Sequence, residues 1–197
     1  REQWLGHPLV GFCLAPHAPY TVADASFRRI LTLSEQMHLP IHCHIHETRQ
    51  EVEESRVQHG VAPLARLDQL GLLGPGFIGV HGIYLDDDEL ARLAATGCSI
   101  AHCPTSNLKL ASGIAPVARM RQLGINVGLG TDGAASNYRL DMFGEMRLAA
   151  LLAKGSSGDA SALPAREVLR MATINGAAAL GIADETGSIA PGKAADL

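Results

Sequence analysis

PIHCHIHETRQEVEES, residues 40–55, decides the fold. Read as a strand, it puts His42, His44 and His46 on one face and Ile41, Cys43 and Ile45 on the other. The apolar set suits a layer of outer helices, and the imidazole set then looks inward. A buried polar ring is costly unless something pairs with it. A lone inward histidine usually reads as hydrogen-bonded core; three in alternation, ending at Glu47, bring a site level with that reading. His42 lies deepest and is expected to be structural. His44 reaches the rim, where a metal can be held. Glu47 reaches the same centre without needing to bind it, as a carboxylate that carries a proton from water to a leaving group.

On both sides of this stretch the pattern repeats: an apolar run, a polar cluster, then helical spacing. LVGFCLAPHAPY (9–20) reads as a strand before it, with a helix over about 24–38 capped by Asp24. TRQEVEESRVQHG and APLARLDQLGLL follow with helical spacing. GFIGVHGIYL (76–85) is the next strand, and DDDELARLAATG its helix, acidic at the start and closed by Gly97. CSIAHCPTSN (98–107) and INVGLGTDGAASN (125–137) are the last two strands. IAPVARMRQLG, LDMFGEMRLAALLAKG and one long helix, LPAREVLRMATINGAAALGI, complete the pattern, with KGSSGDASALP expected to be a mobile loop.

Alternating strands and helices predict a parallel sheet of βαβ units. An open doubly wound sheet would carry a glycine-rich phosphate turn, and neither GxGxxG nor GxxxxGK[ST] occurs. A (β/α)8 barrel instead gathers its chemistry at the C-terminal ends of many strands. His17, His44 with Glu47, His81, His102 and Asp132 all stand where a strand runs out. A whole barrel takes about 250 residues. The 197 residues here predict about the last five βα units of a TIM-type barrel, lacking its first three strands. The start at Arg1 without methionine and the end at GKAADL are expected to be cut from something longer.

Each further station has a plain reading beside its chemical one. Asp132, between Gly130 and Gly133, either heads an Asp-Gly turn, the plainer reading, or is a strand-end carboxylate, for which the buried strand ahead of it speaks. His17 stands between Pro16 and Pro19, which fix the backbone that aims it. His81 alone is weak evidence. His102 and Asn107 are expected to line a pocket rather than react.

Composition narrows the classes. Net charge is −4, which argues against a nucleic-acid partner. No run of about 18 apolar residues exists, so no membrane span is expected. The four cysteines form no CxxC pair and sit in apolar contexts. With no signal peptide at the start, this predicts a reduced, cytoplasmic setting. Missing strands would leave edges open to pairing, so a homo-oligomer is an option.

Taken together and in this order, HCHIHET, HCPTSNLKLASGIAP, GLGTDGAASN and FGEMRLAALL resemble the amidohydrolase superfamily, and within it the 5-methylthioadenosine/S-adenosylhomocysteine deaminases. The resemblance covers nearly the whole chain. It implies a metal-dependent hydrolase that deaminates a purine nucleoside. His44 and Asp132 would be metal ligands, for one divalent cation, zinc ahead of iron or manganese. Asp132 would also be the general base as water adds to C6 of the adenine ring. Glu47 would protonate a ring nitrogen and contact the purine, His81 would orient the water or the leaving amine, and His17 would contact substrate. Residues 1–184 would be the C-terminal part of the barrel, and 185–197 the start of the return to a small β-sandwich. The family's opening HxH pair has no counterpart ahead of GFCLAPHAPY, so this piece alone is expected to bind metal poorly and to be inactive. Guanine deaminase, a triazine hydrolase and a binuclear cyclic-amide hydrolase are the related enzymatic alternatives. The absence of a lysine in APHAPY speaks against the binuclear type. An inactive scaffold is the non-enzymatic alternative.

Overall fold

A computed structural model describes residues 2–195. Four strands form one parallel sheet: β1 (Ile41–Ile45), β2 (Phe77–His81), β3 (Ser99–His102) and β4 (Asn126–Leu129). Their order in the sheet is their order in the chain. A doubly wound sheet reverses order at a switch point, whereas a barrel wall never does. The fold is α/β, a sector of a (β/α)8 barrel.

Helices fill every crossover. α1 (Asp24–Met37) precedes β1, and α2 (Arg49–His59) with α3 (Pro63–Gln69) leads to β2. α4 (Asp87–Thr96) precedes β3, and α5 (Pro104–Lys109) with α6 (Val117–Gln122) precedes β4. α7 (Met142–Ser157), α8 (Ala165–Ala172) and α9 (Ile174–Ala179) follow. The starts are written in the sequence. Thr48 caps α2 by accepting from the Glu51 N–H, and Asp86 with Glu89 forms a reciprocal capping box on α4. Gly97 closes α4 in the left-handed conformation at φ 72°.

The core lies between the sheet and these helices. Ile41, Cys43 and Ile45 of β1 join Phe27, Leu64, Leu67, Leu93, Ile100, Met120 and Met171 in one buried cluster. Gly79 in β2 is part of that fit: a Cβ there would stand 2.9 Å from Ile45 Cγ1 and 3.2 Å from Ile100 Cδ1.

Several expectations are corrected. Residues 9–20 form no strand; only Leu14 bridges Ile41, through the Leu14 N–H to Pro40 O (2.9 Å) and the His42 N–H to Leu14 O (2.8 Å). Pro16 and Pro19 have no N–H to extend that ladder. Four strands and a bridge thus stand, among the described residues, where five strands were expected. β2 stops at His81 because His81 (φ 73°) and Gly82 (φ 57°) turn left-handed. The CPTSN stretch leaves the sheet at Cys103 and becomes α5. Asp24 is the first residue of α1 rather than its cap, and its carboxylate meets Arg66 instead. α7 runs on to Ser157, into the expected loop.

The single long C-terminal helix is broken at Thr173 (φ −130°, ψ −99°). Asn175 donates to Val127 O (3.1 Å) while Asn126 donates to Asn175 O (3.0 Å), which seats α9 directly on β4. A Cβ on Gly128 would lie 3.3 Å from Gly176 Cα, so bare backbones meet there. One straight helix could not make that approach. Residues 185–195 contain no strand; Asp196 and Leu197, also in the expected β-sandwich return, lie outside the described residues. Among the described residues no helix is long and apolar enough to cross a membrane.

Candidate active site at the C-terminal strand ends

His44, Glu47, His81, His102 and Asp132 lie at or just beyond the C-terminal ends of the strands. Parallel register sets Ile45 beside His81, and His102 beside Leu129, three residues before Asp132. The His44 ring stacks on His81 with centroids 5.4 Å apart, and the His17 ring lies 5.1 Å from His44, tilted to it by 53°. His81 Nε2 is 3.7 Å from Glu47 Oε2. His44, Glu47, His81 and Asp132, spread over 89 positions of the chain (132 − 44 + 1), therefore face a common space.

Hydrogen bonds fix how each group presents itself. His44 Nδ1 meets the His17 carbonyl at 2.6 Å, so Nδ1 carries the proton and Nε2 keeps the lone pair. His81 Nδ1 meets Asn107 Oδ1 at 2.7 Å, which assigns its proton in the same way. Asp132 Oδ2 accepts from the Ser106 hydroxyl (2.6 Å), and Oδ1 accepts from the Gly133 N–H (2.6 Å). Ser112 Oγ donates to Glu47 Oε1 at 3.4 Å. Behind Glu47, buried Glu51 accepts the N–H groups of His46 (3.2 Å) and Glu47 (2.9 Å), holding the turn that aims the Glu47 side chain.

Electrostatics sort the groups. Burial would raise the Asp132 carboxyl, but Ser106, Gly133 and the imidazoles of His81 and His44 outweigh it and hold the group below the usual carboxylate range. His81 is lowered chiefly by burial, which the nearby Glu47 and the Asn107 bond only partly offset. Burial lowers half-buried His42 as well, helped by His44 and His81. His81 (φ 73°) and Asp132 (φ 62°) both hold left-handed backbone, a strain that surrounding structure must enforce.

One histidine departs from the simple alternation. His46 turns left-handed at φ 51° and leaves the face of His42 and His44. Its Nδ1 donates to Tyr84 O (2.9 Å) and its Nε2 accepts the Leu64 N–H (3.0 Å), so the ring is neutral and structural. Burial brings it down to about 4 and pushes Glu89, 3.4 Å away, up to about 7. Between about pH 4 and 7 the contact is therefore one between two neutral groups rather than an ion pair. A folded carboxyl above its unfolded value favours the fold at low pH and loses that advantage as pH rises toward 7. Glu89→Gln is expected to remove about 1–2 kcal/mol of the stability lost between about pH 5 and 8. Urea midpoints across that range check this, and a variant that tracks the parent refutes it. His102 is buried, lowered to about 3 by burial, with its Nδ1 unpartnered, as is Asn107 Nδ2. Asn107 is nonetheless the partner of His81, a role sequence did not indicate. Ser106, Ser112 and Glu51 were also missed: short hydroxyls and a helical acid carry no period of their own.

The donor set can be tested against a divalent cation. A metal-bound histidine typically donates its other N–H to a carbonyl or carboxylate. His44 does so, leaving Nε2 available, and Asp132 adds a carboxylate held ionised. These two residues fit in kind. Among the described residues no three His, Cys, Asp or Glu side chains gather to hold a metal, so the set is partial.

The amidohydrolase family model matches residues 4–197. The chain belongs to the amidohydrolase family. It is 49% identical over 197 residues to a 5-methylthioadenosine/S-adenosylhomocysteine deaminase of Teredinibacter turnerae, covering all of this chain and 45% of that protein. It is 50% identical over 184 residues to a 5'-deoxyadenosine deaminase of Methanothermobacter thermautotrophicus, covering 93% of this chain and 43% of that one. Among solved structures, an adenosine deaminase from Xanthomonas campestris with bound zinc superimposes with a TM-score of 0.97 at 51% identity. That match covers 99% of this chain and 44% of the other. This amidohydrolase chain thus spans about half the length of the relatives it matches.

Proposed function

We propose that the intact protein hydrolyses the exocyclic amine of an adenine nucleoside, giving the inosine analogue and ammonia. S-adenosylhomocysteine, 5-methylthioadenosine and adenosine are the candidate substrates. The convergence of His44, Glu47, His81 and Asp132 at one sheet end carries this reading. The deaminase names of relatives about half identical in sequence support it.

His44 and Asp132 would hold a divalent cation, zinc by analogy with the Xanthomonas enzyme, together with donors from outside the described residues. When bound, that ion supplies Lewis-acid activation of water. Asp132, kept ionised by its hydrogen bonds, takes the proton of the attacking water. Glu47, beside His81 and Ser112, delivers a proton to the ring nitrogen and steadies the purine. His81, locked by Asn107, orients the water or the departing amine. His17 borders His44 and meets substrate at the rim.

The same reading takes residues 1–184 as barrel and 185–197 as the start of a return to a β-sandwich. Four cysteines free of disulfides support a reducing, cytoplasmic location.

The test offers the intact protein S-adenosylhomocysteine, 5-methylthioadenosine, adenosine and guanine, following ammonia and the deaminated product. Turnover of at least one adenine nucleoside well above guanine is expected. Turnover of guanine alone, or of no purine, sinks the proposal.

A further inference from the structure

We propose that Glu145, the acid of the stretch FGEMR (143–147), is a positioning residue that sets the aim of Asp132. This rests on the reading of Asp132 given above. Glu145 sits in the first turns of α7 with 1% of its surface exposed. A carboxylate that deep must find donors. Its donors come from the first turn of α5 and from the loop after β4. Oε2 accepts the Thr105 N–H at 3.0 Å, and Oε1 accepts from Asn137 Nδ2 at 2.8 Å. Asn137 is itself buried; its Nδ2 also donates to Thr131 O at 2.7 Å, and its Oδ1 accepts the Arg139 N–H at 2.9 Å.

These contacts close a ring. Thr105 and Thr131 are the chain neighbours of Ser106 and Asp132, and Ser106 donates to Asp132 at 2.6 Å. Travelling round, Glu145 holds Thr105, Ser106 holds Asp132, Thr131 is held by Asn137, and Asn137 returns to Glu145. Asp132 stands halfway round that circuit at φ 62°, in the left-handed region that few residues other than glycine, asparagine and aspartate adopt. Glu145 itself touches none of the groups proposed to react. Its effect on chemistry runs through the backbone on either side of the Ser106–Asp132 bond.

Glu145→Gln in the intact protein keeps shape and one acceptor but turns an N–H2 toward a donor, which opens the ring. The zinc dissociation constant, by chelator competition, is expected to rise about 10-fold. kcat for adenosine is expected to fall about 10-fold, with KM held within about threefold. In an Asp132→Asn background, Glu145→Gln should change the zinc constant by less than about twofold, because the aimed carboxylate is already gone. A plain anchoring role would lower Tm while leaving zinc affinity and kcat within about twofold, or would act equally in both backgrounds. Either result overturns the inference. If Glu145→Gln does not fold, Asn137→Ala opens the ring from the other side and is read in the same way. Should Asp132→Asn alone leave zinc affinity and kcat unchanged, the reading of Asp132 fails first. A damaging Asp132→Asn beside a silent Glu145→Gln sinks only the inference about Glu145.

Discussion

Asparagine in place of Asp132 is expected to lower kcat by about 10³-fold while leaving the fold intact. The choice of asparagine follows from the backbone. Asp132 stands at φ 62°, and asparagine is among the few residues that tolerate this region. The amide oxygen can still accept the Gly133 N–H, now 2.6 Å from Oδ1, and the amide N–H2 can donate to the Ser106 oxygen, 2.6 Å from Oδ2, because a hydroxyl can turn to accept. What disappears is the negative charge and the ability to take a proton. A general base contributes about 10²- to 10⁴-fold, and a lost ligand to the cation adds to that. The check is steady-state kinetics on the intact protein alongside its zinc content and Tm. Activity within about threefold of the parent, at equal zinc and Tm, would mean that Asp132 only turns the chain; a general base could not be that dispensable.

Arg66→Met is expected to cost about 3 kcal/mol of stability. Arg66 lies on α3 and is 6% exposed. Its Nη1 donates to Pro19 O at 2.6 Å, its Nη2 to Val22 O at 3.2 Å, and its Nε to Asp24 Oδ1 at 2.8 Å. The ion pair is the lesser part, since the Asp24 side chain is half exposed and water screens it. The larger part comes from two carbonyls that methionine would leave without a donor. Those carbonyls belong to the loop after His17, whose own carbonyl fixes the His44 ring. The variant should therefore loosen the site as well as the fold. Urea unfolding measures the loss, with Asp24→Asn as a control expected to cost under about 1 kcal/mol. A loss for Arg66→Met no greater than the control's would show that the guanidinium is not what orders that loop.

Elements whose ends are set locally were legible in the chain. The capping box at Asp86 and the left-handed Gly97 bound α4 where the sequence predicts, because both signals act within a few residues. Long-range contacts produced the departures. His46 leaves the histidine face because Tyr84 and Leu64, far away in sequence, offer its ring a donor–acceptor pair. The last helix breaks at Thr173 because Asn126 and Val127 of β4 bond Asn175.

By itself the sequence determined the period of the elements, the parallel α/β class and which residue types stand at strand ends, because alternation, caps and glycines are properties of neighbouring residues. Only the tertiary structure decided that His44, Glu47, His81 and Asp132 share one space, which ring nitrogens carry protons, and that Ser106, Asn107 and Ser112 hydrogen-bond Asp132, His81 and Glu47. Those facts depend on register between strands and on side chains that meet across scores of residues, where no local preference reaches.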